Sequence, residues 1–533
     1  VKHLLRLASL ASLGALLLAL LAVPIAAPGP SSALARVAPP PKVTGVTPVG
    51  QEWVAAKLQV RWRAIPGASY QVRWGRTTAA LARARVHPSP RASATSPALS
   101  TRCEPWRVQV RAVRSGRVGP WSSARQVRFT NRAPGVPALR HSATVQTSET
   151  AARVTWGRTP YVARYRLDWS AAPNGYWKGF EHNHTPWQGP ASTGVSIQLP
   201  AAATAGDRFL HPAYGNPVYG QLNYDNGCTR TYRKSGWFGF FPQSRVPDAG
   251  DAVAFGTYNT ELPSRLGAVP AKIANLAENI ASQDLDVVVL QEANDDRAQS
   301  LLARLDARGQ TDWTSHGVGS QQVMWRTSQW ELVEGTALGM ANDGNPATPL
   351  PTPGVRLTPA AGVADPQRQD IFVVSVHLED TPGGTVAQRK RNANKAAGIL
   401  LDQIAAAGTA GLPVLAGGDF KGSFSDGSAG SGSCDESNGC VGEGQPTFVR
   451  AGFWDSRTAP VKDGLAFGTV NKHVANPPRN STGVGNRTDF LLAKGAGGFT
   501  LHRNVVRTFG DASDSHQSDH NLVVAHVVIP RVS

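Results

Sequence analysis

The sequence predicts a multidomain protein, with two β-sandwich modules in its first half and a layered α/β domain after them. Three observations carry this. The 533 residues exceed what one ordinary core holds. Short segments of alternating apolar and polar residues dominate up to about residue 250. Beyond Asp251, wholly apolar strands alternate with helical periodicity.

In chain order, VKHLLRLASLASLGALLLALLAVPIAAPGPSSALA opens with Lys2, His3 and Arg6. An apolar run to Val23 and small residues around Ala33-x-Ala35 follow, the pattern of a secretory signal peptide over 1–35. Pro24 breaks the apolar stretch, which argues against a membrane anchor. Nothing later is apolar and long enough to span a bilayer. In 36–131, LQVRW, YQVRW and WRVQVRAV put apolar residues on one face at period two, and GPWS opens a last strand. The pattern restarts over 132–248 with PGVPAL, ARVTW and YRLDW, then becomes irregular after Ser170. The aromatic-rich stretch from Asn174 to Phe241 is expected to fill a small β core.

The domain at 249–533 reads differently. AVAFGTYN, DVVVLQE, FVVSVHL, LPVLAGGD, TDFLLAK and NLVVAHVVI are strands. PAKIANLAENIASQ and RKRNANKAAGILLDQIAAAG are amphipathic helices.

Charge separates the halves. Residues 1–250 carry a net +23 and residues 251–533 a net −6. The basic half suits an acidic partner such as nucleic acid, an anionic cell-surface polymer or a lipid surface, or is simply a solvated face. Four cysteines fit an oxidising compartment. Cys434 and Cys440 are close enough to close a small loop, whereas a pairing of Cys103 with Cys228 is not legible.

Polar residues sit repeatedly at the ends of the apolar strands: Asn259, Glu292, His377 and Asp419, with Asp489 and the pair Asp519-His520 opening two others. Strand ends on one rim of a sheet converge even when far apart in sequence. Acids with an amide suit a hard divalent cation, and histidines beside acids suit proton transfer near neutral pH.

In the order TYN (257–259), LQE (290–292), SVHL (375–378), GDF (418–420), TDF (488–490) and SDH (518–520), these residues resemble the endonuclease/exonuclease/phosphatase superfamily of metal-dependent phosphoesterases over roughly 250–530. The N-terminal segments resemble fibronectin type III modules. The first resemblance implies a four-layer α/β sandwich and a set of roles. Glu292, helped by Asn259, is expected to hold Mg²⁺, with Mn²⁺ or Ca²⁺ as alternatives. His520, oriented by Asp489, is expected to activate water, and His377 to bind phosphate or assist the leaving oxygen. Asp419 and Asp519 are expected to orient water, metal or histidine. Lys421 and Arg389 are the expected substrate contacts.

Lys421 departs from the family pattern, which carries an asparagine there. An ammonium cannot ligate a cation, though it can meet a phosphate. The region SQQVMWRTSQW offers Gln321 and Gln322 where some nucleases pair the histidine with a glutamate. The sequence therefore predicts a secreted, extracellular or cell-surface phosphodiesterase, first of all a nuclease. The alternatives are a sphingomyelinase-like or other phosphoester hydrolase, and a catalytically impaired binding protein.

Overall fold

The computed structural model describes residues 37–49, 57–99, 105–128, 134, 137, 145–148, 151–170, 183–198, 217–227, 232–240, 248–261, 270–342, 345–363, 367–378, 386–421, 444–471, 477–480, 483–506 and 518–531. The expected signal peptide and all four cysteines lie outside the described residues. No helix of the described residues is long and apolar enough to cross a membrane. The described residues form two compact units, one ending at Arg128 and one following it.

In the first unit, the strands Lys57–Trp62, Ser69–Gly75 and Trp106–Arg114 bury every second side chain, as their alternation demands. Leu58, Val60, Tyr70, Val72, Val108 and Val110 thereby make the core of a three-stranded and a five-stranded sheet. Outside that core, Arg73 and Arg111 lie over the Trp121 ring, 4.1 and 4.4 Å from its centroid. Both guanidinium groups are half-buried there, Arg73 bonded to Gln109 and Arg111 to Gln71, and together they cover the ring.

The second unit begins with another pair of small sheets, built on Ala151–Thr155 and on Arg164–Ser170 paired with Val218–Asp225. Their shared core takes Trp169 and, from the aromatic-rich stretch, Tyr224, Phe238 and Phe240, whereas Tyr232 of that stretch is exposed. Tyr219 and Trp237 pack on Val484 and Leu465 of the α/β portion.

The α/β portion has a seven-stranded and a six-stranded sheet. One core, including Phe255, Val289, Val323, Val373, Leu415 and Leu491, draws on both sheets. The helices Pro270–Ala281 and Asp295–Asp306 share a second core with Val288 and Leu290 of the first sheet. The helix Val386–Ala406 shares a third with Val374, Val376 and Ala416 of the second. Each fully buried aliphatic side chain of this kind contributes about 1.5–3 kcal/mol. Successive side chains of a strand point to opposite faces, so strands covered on both faces must read as continuous apolar runs. DVVVL and FVVSV do.

Two parallel pairs fix the site. Gly250–Asn259 runs beside Val287–Gln291, with Asn259 opposite Gln291. Ile371–His377 runs beside Val414–Asp419, with His377 opposite Asp419. The antiparallel strand Asp489–Lys494 then places Asp489 opposite Asp419. The glycines before Asp419 are needed for close packing. A Cβ at Gly418 would lie 1.7 Å from the Val376 carbonyl oxygen, and one at Gly417 would press on Val289 and Leu491. The hairpin Trp330–Asn342/Asn345–Pro359 and the short helix Gln445–Arg450 are elements the sequence reading had not assigned.

Candidate active site

The ends of the parallel pairs bring the strand-end residues together around one carboxylate. Asp419 is fully buried. Its Oδ2 lies 2.6 Å from Lys421 Nζ, 3.8 Å from His377 Nε2 and 3.9 Å from His520 Nε2, and it accepts a 3.3 Å hydrogen bond from Asn259 Nδ2. Its Oδ1 accepts the Lys421 backbone N–H at 2.9 Å.

Asn259 also donates from Nδ2 to Glu292 Oε1 at 3.0 Å, and its own oxygen accepts the Glu261 N–H at 3.1 Å. It thus ties the first sheet to both carboxylates. Glu292 Oε1 lies 3.6 Å from His377 Nε2. Glu292 and Lys421 sit just past the two strand ends with φ of +57° and +53°. That left-handed region is disfavoured for residues with a Cβ and is retained where the surroundings demand it.

His520 Nδ1 meets both oxygens of Asp489, at 3.0 and 2.9 Å. Asp489 also accepts the Thr488 hydroxyl at 2.9 Å. The His520 backbone N–H donates to Ser518 Oγ at 3.0 Å, and Ser518 in turn donates to the Asn259 carbonyl. Both faces of the dyad are therefore fixed. Asp519 is the more open neighbour, 3.9 Å from His520 Nε2 and a third exposed.

Charge follows the geometry. Burial alone would lower His520, but Asp489 beside it, with Asp419 and Asp519, outweighs burial and pushes it up to about 9. At His377 burial dominates and holds the ring below the ordinary histidine value, with Asp419 and Glu292 opposed by Lys421 and His520. Burial would raise Asp419, yet Lys421, His520 and His377 together keep it below the usual carboxylate range. Lys421 is drawn down by burial, but Asp419, Glu292 and Asp489 together outweigh it and hold the ammonium above its ordinary value.

His377 Nε2 is buried without a hydrogen-bond partner, beside two carboxylates at non-bonding distance. An orphaned ring nitrogen in such a place suits a phosphoryl oxygen or a proton in transit. Gln321 and Gln322 do not reach it. Gln321 accepts from Thr352, and Gln322 donates to Asp295 and the Ala293 carbonyl.

Among the described residues no three His, Cys, Asp or Glu side chains are grouped to hold a metal ion. The donors still fit Mg²⁺, which keeps several waters and takes one or two carboxylates with substrate phosphate. Glu292 is the carboxylate placed for that role, 30 % exposed at the rim. Arg389 lies on the helix Val386–Ala406, and its side chain lies outside the described residues.

Sequence reasoning missed the layer beneath. Gln291 donates to Ser375 Oγ at 3.1 Å and accepts from Thr257, which bridges the two sheets directly under the site. Thr469 Oγ1 accepts the backbone N–H groups of Thr488 and Asp489. The Arg487 guanidinium lies 3.9 Å over the Phe490 ring, and Phe490 packs edge-on against Phe420, the residue after Asp419. Single polar residues in a strand or loop carry no local signal that they serve a site.

The paired sheets carry acids, imidazoles and an amide on one rim, groups suited to hydrolysis. Residues 256–420 match the model of the Endonuclease/Exonuclease/phosphatase family. Members of that family are hydrolases acting on phosphoester bonds and generally use divalent metal ions, typically Mg²⁺. No curated protein matches the chain.

Among solved structures, the chain is similar to an endonuclease/exonuclease/phosphatase family protein from Leptotrichia buccalis C-1013-b, at 17 % identity over 52 % of this chain and 99 % of that one, with a TM-score of 0.35. It is similar to truncated TDP2 of Caenorhabditis elegans at 16 % identity, over 52 % and 97 %, with a TM-score of 0.34. It is also similar to the FN1–FN3 domains of chicken CNTN1 at 13 % identity, over 38 % and 68 %, with a TM-score of 0.17. At these scores none of the three bears on function.

Proposed function

We propose that the protein is a secreted, metal-dependent phosphodiesterase, with nucleic acid as its first-choice substrate. The observation that carries this is the convergence of Asn259, His377, Lys421 and His520 within 4 Å of one Asp419 oxygen, from motifs scattered over more than half of the domain.

In this reading Glu292 holds the ion, with Asn259 orienting its carboxylate. When bound, Mg²⁺ would supply positive charge for the phosphoryl oxygens, and a cation near His520 would favour the neutral ring that a base needs. His520, fixed by Asp489, takes the proton of the attacking water through Nε2. His377 and Lys421 meet the phosphate, the first through its orphaned Nε2 and the second through the ammonium protons that Asp419 leaves over.

The basic residues of the N-terminal half support a polyanionic partner, either the substrate or an anionic surface polymer. The alternating strands of the two small modules support a fibronectin type III-like reading. The three cores of the α/β portion support the four-layer arrangement. The N-terminal composition supports export.

The test offers plasmid DNA, RNA, sphingomyelin and a chromogenic phosphodiester to the full chain, with Mg²⁺ or with EDTA. The expected result is Mg²⁺-dependent nicking of DNA that EDTA abolishes. Lipid cleavage without nicking would replace the nuclease with a lipid hydrolase. A folded, Mg²⁺-binding chain with no turnover on any substrate would leave a binding protein.

A further inference from the structure

We infer that the Lys421 ammonium is a built-in cation at Asp419 which limits the centre to one divalent ion, bound on the Glu292 side. The inference deepens the proposed function and rests on its metal-dependent reading.

Three of the about four acceptor positions of Asp419 are already taken, two of them on Oδ2. A carboxylate offers about four acceptor positions on two oxygens. Oδ1 takes the Lys421 N–H, and Oδ2 takes Lys421 Nζ at 2.6 Å and Asn259 Nδ2 at 3.3 Å. The two imidazole Nε2 atoms stand at 3.8 and 3.9 Å from the same oxygen. Every neighbour that these contacts place around Asp419 is a nitrogen, and none is an oxygen that would help to coordinate a metal.

Lys421 is also built for this contact. Its φ of +53° curls the chain so that its backbone N–H and its own ammonium clasp the carboxylate two residues earlier. A left-handed lysine is costly without a compensating interaction, and the two-point clasp supplies one.

In a two-ion phosphoesterase the ions stand about 3.5–4 Å apart around the reacting phosphate. An ion on Asp419 Oδ2, the oxygen that faces the two imidazoles, would need a contact of about 2.0–2.1 Å where an ammonium already sits. The two positive charges would repel inside a buried pocket with little solvent to screen them. Asp489 offers no alternative, because His520 and Thr488 engage its oxygens. Of Glu292, Asp419 and Asp489, this leaves Glu292 open to a divalent ion.

Lys421 thus stands where a second metal would otherwise contribute charge. Its side chain remains 22 % exposed, so substrate can reach the ammonium. The phosphate would be flanked by one divalent ion and one fixed monovalent charge.

The experiment counts ions rather than turnover. Mn²⁺ is titrated into the full chain by calorimetry, with free Mn²⁺ followed by electron paramagnetic resonance. The wild type and Lys421→Arg should each bind one Mn²⁺. Lys421→Asn, which removes the ammonium and adds an amide oxygen, should bind two, or bind the first at least tenfold more tightly through a shared Asp419. Melting curves without metal confirm that the variants fold, and Lys421→Gln replaces Lys421→Asn should the latter fail to. Two ions on the wild type, no ion at all, or an unchanged isotherm in a folded Lys421→Asn would each overturn the inference. A chain that binds one ion but cleaves no phosphoester sinks the proposed function alone. A chain that cleaves with two ions does the reverse.

Discussion

Two buried histidines of the same domain sit among charges of opposite sign. His520 faces Asp489, Asp419 and Asp519 and is held up at about 9. His502 donates to or accepts from Ser456 at 2.8 Å and, by burial first and then by Arg457, Arg487 and Lys462, is held well below the ordinary histidine value. Each region has a fully buried carboxylate, Asp419 in one and Asp455 in the other.

Asp455 is closed off. It accepts two contacts from Arg487 at 2.7–2.8 Å, the Arg457 N–H at 2.9 Å and a Gln445 amide at 3.3 Å. Arg457 and Arg487 are themselves only 1–2 % exposed. Around Asp419, by contrast, Lys421 and Glu292 stay partly exposed, whereas an unpaired ring nitrogen occurs in both regions, at His377 and at His502. Buried charge alone therefore does not mark chemistry. Access for a substrate does.

The largest test of that contrast is kinetic. His520→Ala should lower kcat/KM on whichever phosphodiester is cleaved by about 10³-fold, since a positioned acid–base group contributes about 10²–10⁴. His502→Gln should leave the rate of the folded enzyme within about twofold. Equal losses in the two variants, after correction for folded fraction, would erase the distinction.

The second test is of stability and runs the other way. Arg487→Met strands Asp455 as a buried charge and should cost about 3–5 kcal/mol in denaturant unfolding. The double change Arg487→Met with Asp455→Leu should recover only part of the loss, since it removes the stranded carboxylate but leaves the Arg457 N–H and the Gln445 amide without their acceptor. A single variant as stable as the wild type would show that the pair is not structural.

The smallest effect separates the histidines by pH. The unfolded chain takes up a proton at histidine near pH 6.5, which native His502 resists. Its contribution to stability is thus present above 6.5 and is lost as pH falls below it, by at most about 1.4 kcal/mol per pH unit. His520 has the opposite sign. In the metal-free chain its contribution is full below 6.5 and is lost as pH rises through about 9. Unfolding curves from pH 5 to 10 should show the acid limb flatten in His502→Gln and the alkaline limb flatten in His520→Gln. Limbs that do not respond to either substitution would count against these charge environments.

Much of the domain was legible because its signals are local. Apolar runs such as DVVVL and FVVSV read as buried strands, and Glu292, His377 and Asp419 stand out because an acid or imidazole ends such a run. The dyad of His520 and Asp489 was expected, and the two meet. The hairpin Trp330–Pro359 was missed because its second strand carries Pro346, Pro349, Pro351 and Pro353, which ordinarily argue against a ladder. Gln291, Ser375, Thr469 and Arg487 were missed because each looks like an ordinary polar residue until its partner from another strand is known.

The sequence by itself determined the order of strands and helices and the set of chemical groups at the strand ends. Both follow from periodicities and chain positions that neighbouring residues encode. Only the tertiary structure decided what those groups do to one another. Strand register placed His377 and Asp489 on either side of Asp419. The amide of Asn259 was committed to Glu292 and Asp419, and the ammonium of Lys421 was set against a carboxylate rather than left in solvent. Which lone pair is filled, and by which nitrogen, depends on contacts across up to 160 residues of chain. No local pattern carries that information.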